Sequence, residues 1–276
     1  MNTFRTFIAT ALLAVSATSE ASIIAYDGFS YSGELNSKNG GNGWGGAWIA
    51  NTTYTEIVNP AVNLVDDSAL RFSGNSPTSP DYQVSRSLAN SFSGNKIFVD
   101  FFLQIDSGDL ISNDFLGFWF GSSTGPNFGI KANQGGTTPA STNDVFGRLS
   151  GTSGPYVPNS NIGSTNDITH HIVALLSKDA NSSTFNRLNV WLNPVFGDLA
   201  TPDLTTTRTV NTGLASFDKI GFRSANLDNA TNNKDELLID NLRLSTTWNE
   251  AMSIPEPATL ILLGIGFAGI GLRSRK

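Results

Sequence analysis

Carboxylates are the first groups in this sequence able to do chemistry, and Glu236 and Asp240 are the most suggestively placed pair. In an extended strand positions i, i+2 and i+4 share a face, so both would project to the same side. Two carboxyl groups about 5 to 5.5 Å apart could hydrolyse a glycoside with retention, or with inversion if further apart. Leu238 stands between them, however, and Leu242 and Leu244 follow, so that face is apolar instead of a row of acids. A carboxylate among leucines is costly unless it meets a cation, backbone N–H groups or hydroxyls. Asp240 is therefore either a cation ligand or a hydrogen-bonded strand residue. Histidine is confined to His170 and His171. Neighbours in a strand point to opposite faces, and neither His-x-x-x-His nor His-Glu-x-x-His occurs, so a structural role is expected. There is no cysteine, which excludes thiol chemistry, and no Gly-x-Ser-x-Gly elbow or phosphate loop. Aromatic surface for stacking on a sugar comes from Trp44, Trp48, Trp119, Trp191 and Trp248. Trp191 shares a strand face with Asn189 and Asn193, which makes these the candidate glycan-binding residues. The alternative for Trp191 is packing, because tryptophan is usually largely buried.

The elements that must position these groups are strands. Leu188, Val190 and Leu192 alternate with Asn189, Trp191 and Asn193, and Pro194 ends the run. Similar runs occupy 82–88, 96–105, 115–120, 128–132, 171–176, 219–222 and 236–244, separated by clusters such as Ser73-Gly74-Asn75 and Ser93-Gly94-Asn95. No amphipathic helix of three turns appears outside the chain ends. The spacing predicts an all-β, two-sheet antiparallel jelly-roll sandwich over 22–253, in preference to a seven-stranded immunoglobulin type. Setting aside the ends removes Arg5, Arg273, Arg275 and Lys276 from 17 basic residues and Glu20 and Glu256 from 23 acidic ones, leaving a body near −8. That balance argues against nucleic acid as a partner.

Both ends are directed at membranes. Arg5, the apolar run Phe7 to Val15 and the small-x-small site Ser19-Glu20-Ala21 have the layout of a signal peptide over 1–21. At the other end Pro255-Glu256-Pro257 precedes the apolar stretch Ala258 to Leu272 and a basic tip of Arg273, Arg275 and Lys276. As a helix that stretch would be roughly 22 Å long, a short transmembrane span for a core of about 30 Å. The basic tip places the C-terminus in the cytoplasm. This order of motif, apolar helix and basic tip over 254–276 resembles the PEP-CTERM sorting signal. The resemblance implies an exported protein held in the inner membrane by its tail. An exosortase-type enzyme would process it at Pro255-Glu256-Pro257 and deliver it to the cell surface or the medium.

The body also carries landmarks. Tyr26-Asp27-Gly28-Phe29, Asn39-Gly40-Gly41-Asn42-Gly43-Trp44-Gly45-Gly46-Ala47-Trp48, Asn189 to Pro194 and Asp235 to Asp240 before Thr246-Thr247-Trp248 resemble those of concanavalin A-like, laminin-G-like jelly rolls. That likeness implies a curved sandwich whose concave face meets carbohydrate in many relatives. It also implies a structural calcium bridging the first and last strands through Asp240 and Asp27, for which hard oxygen ligands would suit. The Glu-x-Asp-x-Glu pattern of glucanase relatives is missing, so no enzymatic activity is expected. Three readings follow. The first is a non-catalytic surface or matrix protein associated with extracellular polysaccharide or biofilm; the others are a lectin-like module with a defined glycan and, least favoured, a glycan hydrolase.

Overall fold

Alternating apolar residues build paired strands over most of the chain. The computed structural model describes residues 23–253, apart from 51–53, 60–63, 65–67, 75–81, 109, 111–112, 133–142, 151–153, 158–159, 161, 163–167, 209–212 and 231–232. The signal-peptide and sorting-tail expectations, with Pro255, Glu256, Pro257 and the basic tip, lie outside the described residues. No helix among the described residues is long and apolar enough to cross a membrane.

In chain order the strands are β1 (Ile23–Asp27), β2 (Gly33–Glu34), β3 (Thr55–Val58), β4 (Ala69–Ser73), β5 (Tyr82–Phe92), β6 (Lys96–Ser107), β7 (Phe115–Phe120) and β8 (Asn127–Ala132). They continue with β9 (Asn143–Arg148), β10 (Thr169–Ser177), β11 (Arg187–Leu192), β12 (Leu204–Thr207), β13 (Phe217–Ala225), β14 (Asn229–Ala230), β15 (Asn233–Lys234) and β16 (Glu236–Ser245). A 3-10 turn, Phe196–Ala200, follows β11, and a short helix, α1 (Trp248–Met252), follows β16. The large sheet runs β12-β11-β10-β6-β16-β4-β3-β2, with β1 paired to the far end of β16, and the small sheet runs β5-β13-β7-β8-β9. Each of these pairings is antiparallel. The chain crosses repeatedly from one sheet to the other, giving the jelly-roll-like sandwich that the spacing predicts.

Between the sheets lies one aromatic-rich core. Phe101 of β6 reaches across to the small sheet, its ring centroid 5.6 Å from Phe128 and 5.4 Å from Phe222, and Phe118 stands 5.3 Å from Phe222. Such pairs add about 0.5 to 1.5 kcal/mol each beyond the area they bury. One edge of the sandwich is closed by the glycine-rich segment. Asn42 exchanges backbone hydrogen bonds with Tyr26 of β1, while Gly43 O and Gly45 N bond Ala89 and Ser87 of β5. Gly41 and Gly43 have φ of 74° and 80°, and a Cβ on either would fall 2.0 Å from a carbonyl oxygen of β1. Only glycine permits that approach.

A bulge in β16 alters the face arithmetic. Its register with β6 shifts between Asp240 and Arg243, and Asn241 has φ of 52°. Leu237 and Ile239 point into the core before the shift, as Leu242 and Leu244 do after it. Asp240 therefore lies on the opposite, outer face with Leu238 and Arg243, and not among Leu242 and Leu244 as strict alternation predicts.

Candidate functional site

The residues singled out by sequence are built into the framework. Asp27 is fully enclosed: Oδ1 accepts from Phe29 N at 2.8 Å, and Oδ2 accepts from Tyr31 Oη at 2.7 Å, Trp48 Nε1 at 2.8 Å and Arg86 Nη1 at 2.5 Å. Burial pushes its carboxyl up, opposed by these donors and by the Arg86 charge. Asp27 pairs with core-facing Leu242, whereas Asp240 is on the other face of β16 and accepts from Asn241 N at 2.7 Å. The two carboxylates do not converge, and a guanidinium already sits where a cation would go, so the donor set does not fit the expected calcium. Among the described residues no group of three His, Cys, Asp or Glu could hold a metal. Glu236 pairs with Arg71 and Lys234 at 3.3 and 3.1 Å.

Trp191 is likewise not a binding platform. It is 1% exposed because α1 lies over the outer face of the large sheet and packs Trp248 and Ala251 against Phe98, Val173 and Trp191. The indole donates to Asp198 O at 2.9 Å, and its ring lies 5.0 Å from Trp248, whose own indole donates to Phe196 O at 2.8 Å. Asn193, with φ of 52°, locks the end of β11 to β10: its Oδ1 accepts from His171 N, and its Nδ2 lies 3.1 Å from His170 Nδ1. Asn189 is half-buried, with an enclosed Oδ1. The expected glycan face is thus a covered, structural one, closed by a helix too short for the periodicity of the sequence to reveal.

The same cover ends in a clasp. Arg243 donates through Nη1 to the carbonyls of Glu250 and Ser253, and its Nη2 lies 3.3 Å from Asp100 Oδ1, which also faces His171 Nε2 at 3.5 Å. Burial pushes the Asp100 carboxyl up, and His171 and Arg243 oppose that. The last described residue, Ser253, is therefore fastened to the middle of the large sheet.

The outer face of the small sheet is different in kind. Arg223 on β13 lies opposite Gly117 on β7, Gly117 opposite Gly129 on β8, and Gly129 opposite Phe146 on β9. Two adjacent glycines leave a trough, and a Cβ on Gly117 would come 2.9 Å from the Phe115 ring and 3.1 Å from that of Phe146. Arg148 stacks over Phe146 at 4.2 Å, and Arg148 and Arg223 lie 5.6 and 5.5 Å from the ring of Phe115. Arg148, Arg223 and Phe115, with Asn113, Lys131, Ala225 and Asn226, line a cavity of about 320 Å³. Asn226 Nδ2 donates to Asn113 O at 3.0 Å and fixes one rim. Burial holds Arg148 below its usual range, opposed by the charge and hydrogen bond of Tyr156 and reinforced by Arg223, and burial with the Arg148 charge does the same to Lys131. Positive charge is thus gathered in a protein of formal net charge −6. Sequence reasoning missed this site because its cations sit on three separate strands. The available signal was a single cation on the solvent side of each apolar run.

Comparison with known proteins bears on the two ends of this description. A family model described as the PEP-CTERM protein-sorting motif matches residues 253–276. The tail is a PEP-CTERM sorting motif. It begins at Ser253, the residue that Arg243 clasps. No curated protein matches the chain. Among solved structures, a carbohydrate esterase, vb_24B_21, from Shiga toxin-encoding bacteriophage phi24B is similar, with 12% identity, TM-score 0.51, and coverage of 82% of this chain and 99% of that one. A mutant of alginate lyase Aly36B in complex with alginate tetrasaccharide is similar too, with 15% identity, TM-score 0.51, and coverage of 80% and 95%. At these identities the likeness is one of fold.

Proposed function

We propose that the chain is an exported protein whose PEP-CTERM tail is processed by an exosortase-type enzyme, and whose β-domain is a non-catalytic binder of extracellular polysaccharide. The tail would hold it in the inner membrane until Pro255-Glu256-Pro257 is cut, after which the domain works at the cell surface or in the surrounding matrix. The carrying observation for the domain is the cavity on the small sheet, a trough lined by asparagine and basic side chains that suits a sugar chain. The absence of enzymatic activity is in keeping with β16, where Glu236 is paired with basic residues and Leu238 separates it from Asp240. Structural likeness to an esterase of carbohydrates and to a lyase with bound alginate favours polysaccharide over other ligands.

Sorting is tested by fractionation and mass spectrometry of the wild type against a Pro255→Ala, Pro257→Ala double variant. The wild type is expected to lose its tail and leave the inner membrane, and the variant to stay there at full length; identical location and C-terminus would refute this part. Binding is tested with the full chain in detergent micelles on a glycan array, where silence across every polysaccharide would refute the domain's role.

A further inference from the structure

Three cations line one small cavity on the outer face of the small sheet: Arg148 on β9, Arg223 on β13 and Lys131 on β8. Both guanidinia lie within 5.6 Å of the Phe115 ring, so they converge on a common space and do not spread across the surface. Arg148 is 6% exposed, and its Nε and Nη2 are enclosed with no hydrogen-bond partner among the described residues. A guanidinium that has lost its water and faces other cations is a costly arrangement unless a ligand supplies the missing acceptors. The aromatic rings beneath hold the guanidinia in place, and a planar, pre-organised fork is suited to carboxylate, sulfate or phosphate oxygens. Among the described residues that line the cavity, none is a carboxylate. Asp144, opposite Lys131 in the register of β8 and β9, is itself fully enclosed.

We propose that this cavity recognises an acidic sugar unit of an anionic polysaccharide, with Arg148 and Arg223 binding its acid group and Lys131 supporting them from the adjacent strand. The proposal rests on the polysaccharide reading above and narrows it to one chemical class. A volume of about 320 Å³ accommodates a sugar ring and is larger than an inorganic anion requires. A neutral sugar would offer hydroxyls to the cavity but no charge to meet its three cations. The acidic balance of the body then acts as a filter, because its overall field disfavours polyanions while this trough draws them.

The test uses affinity electrophoresis and calorimetry of the full chain in detergent micelles against alginate, carboxyl-reduced alginate, dextran sulfate and neutral dextran. Alginate, dextran sulfate or both are expected to bind, with the two arms separating a carboxylate from a sulfate ligand, and the neutral polymers are expected to be weaker. Arg148→Ala and Arg223→Gln should each weaken binding about tenfold, the cost of one charge-assisted contact. Should Arg148→Ala fail to fold, Arg223→Gln and Lys131→Gln report on the same cavity from less enclosed positions. Equal binding of neutral and acidic polymers would overturn the anionic assignment while leaving the polysaccharide reading intact. Failure to bind any polymer would overturn both. Acidic binding that is indifferent to Arg223→Gln and Lys131→Gln would place the ligand elsewhere and overturn the site.

Discussion

The two outer faces of the sandwich handle buried charge in opposite ways. On the large sheet Asp100 meets Arg243 and His171, and a helix seals Trp191 and Phe98 from water. On the small sheet Arg148 and Arg223 stand over Phe115, and Lys131 joins them around an open cavity. The first arrangement sets its charges against others of opposite sign beneath a cover. The second lines an open space with charges of one sign. Aromatic and polar residues occur on both faces, so residue type alone does not mark a binding surface; what covers the face and whether its charges balance do.

That contrast can be broken most sharply by removing one charge from each face. Asp100→Ala strands Arg243 and should cost about 3 to 5 kcal/mol. Lys131→Gln instead relieves repulsion from Arg148 and should change stability by no more than about 0.5 kcal/mol. Denaturant midpoints of the two variants measure the difference, and similar losses from both would mean that the small face is also internally balanced. Removing the cover is the next largest effect. Trp248→Ala should destabilise by about 3 kcal/mol and shift the Trp191 emission to the red as water reaches it; unchanged emission would show that the helix is not the seal. Least in size is a pH effect at the start of β10, on the core-facing side of the large sheet. Burial holds His170 below its ordinary value of 6.5. The unfolded chain therefore binds the proton more readily, so stability rises with pH across the window between the folded value and 6.5 and is lost as the solution is acidified through it. His170→Gln should flatten that part of the stability profile, and a slope unchanged by the substitution would locate the titrating group elsewhere.

How far the sequence foretold this arrangement depends on how local the signal was. The run Phe115 to Phe120 reappears as β7 with the same bounds, and the expected strands at 96–105 and 236–244 reappear within β6 and β16. Their period-two pattern is a property of neighbouring residues. The PEP-CTERM tail is legible for the same reason, its elements lying side by side. Strict alternation misplaces Asp240 because one residue, Asn241 in a left-handed conformation, resets it halfway along β16. Trp191 looked available because its cover comes from Trp248, far along the chain, on a helix of only five residues. Arg148, Arg223 and Lys131 were invisible as a group because only sheet topology brings β8, β9 and β13 together.

The clasp at Ser253 has a mechanical consequence. A pull on the C-terminus reaches Arg243 through the carbonyls of Glu250 and Ser253, and so enters β16 in the interior of the large sheet instead of peeling an edge. β16 is bonded to β6 along one side and to β4 and β1 along the other. Tension along that strand loads the ladders on its two flanks in parallel, as shear, so a domain hauled by its tail would resist as a whole before any single strand came away.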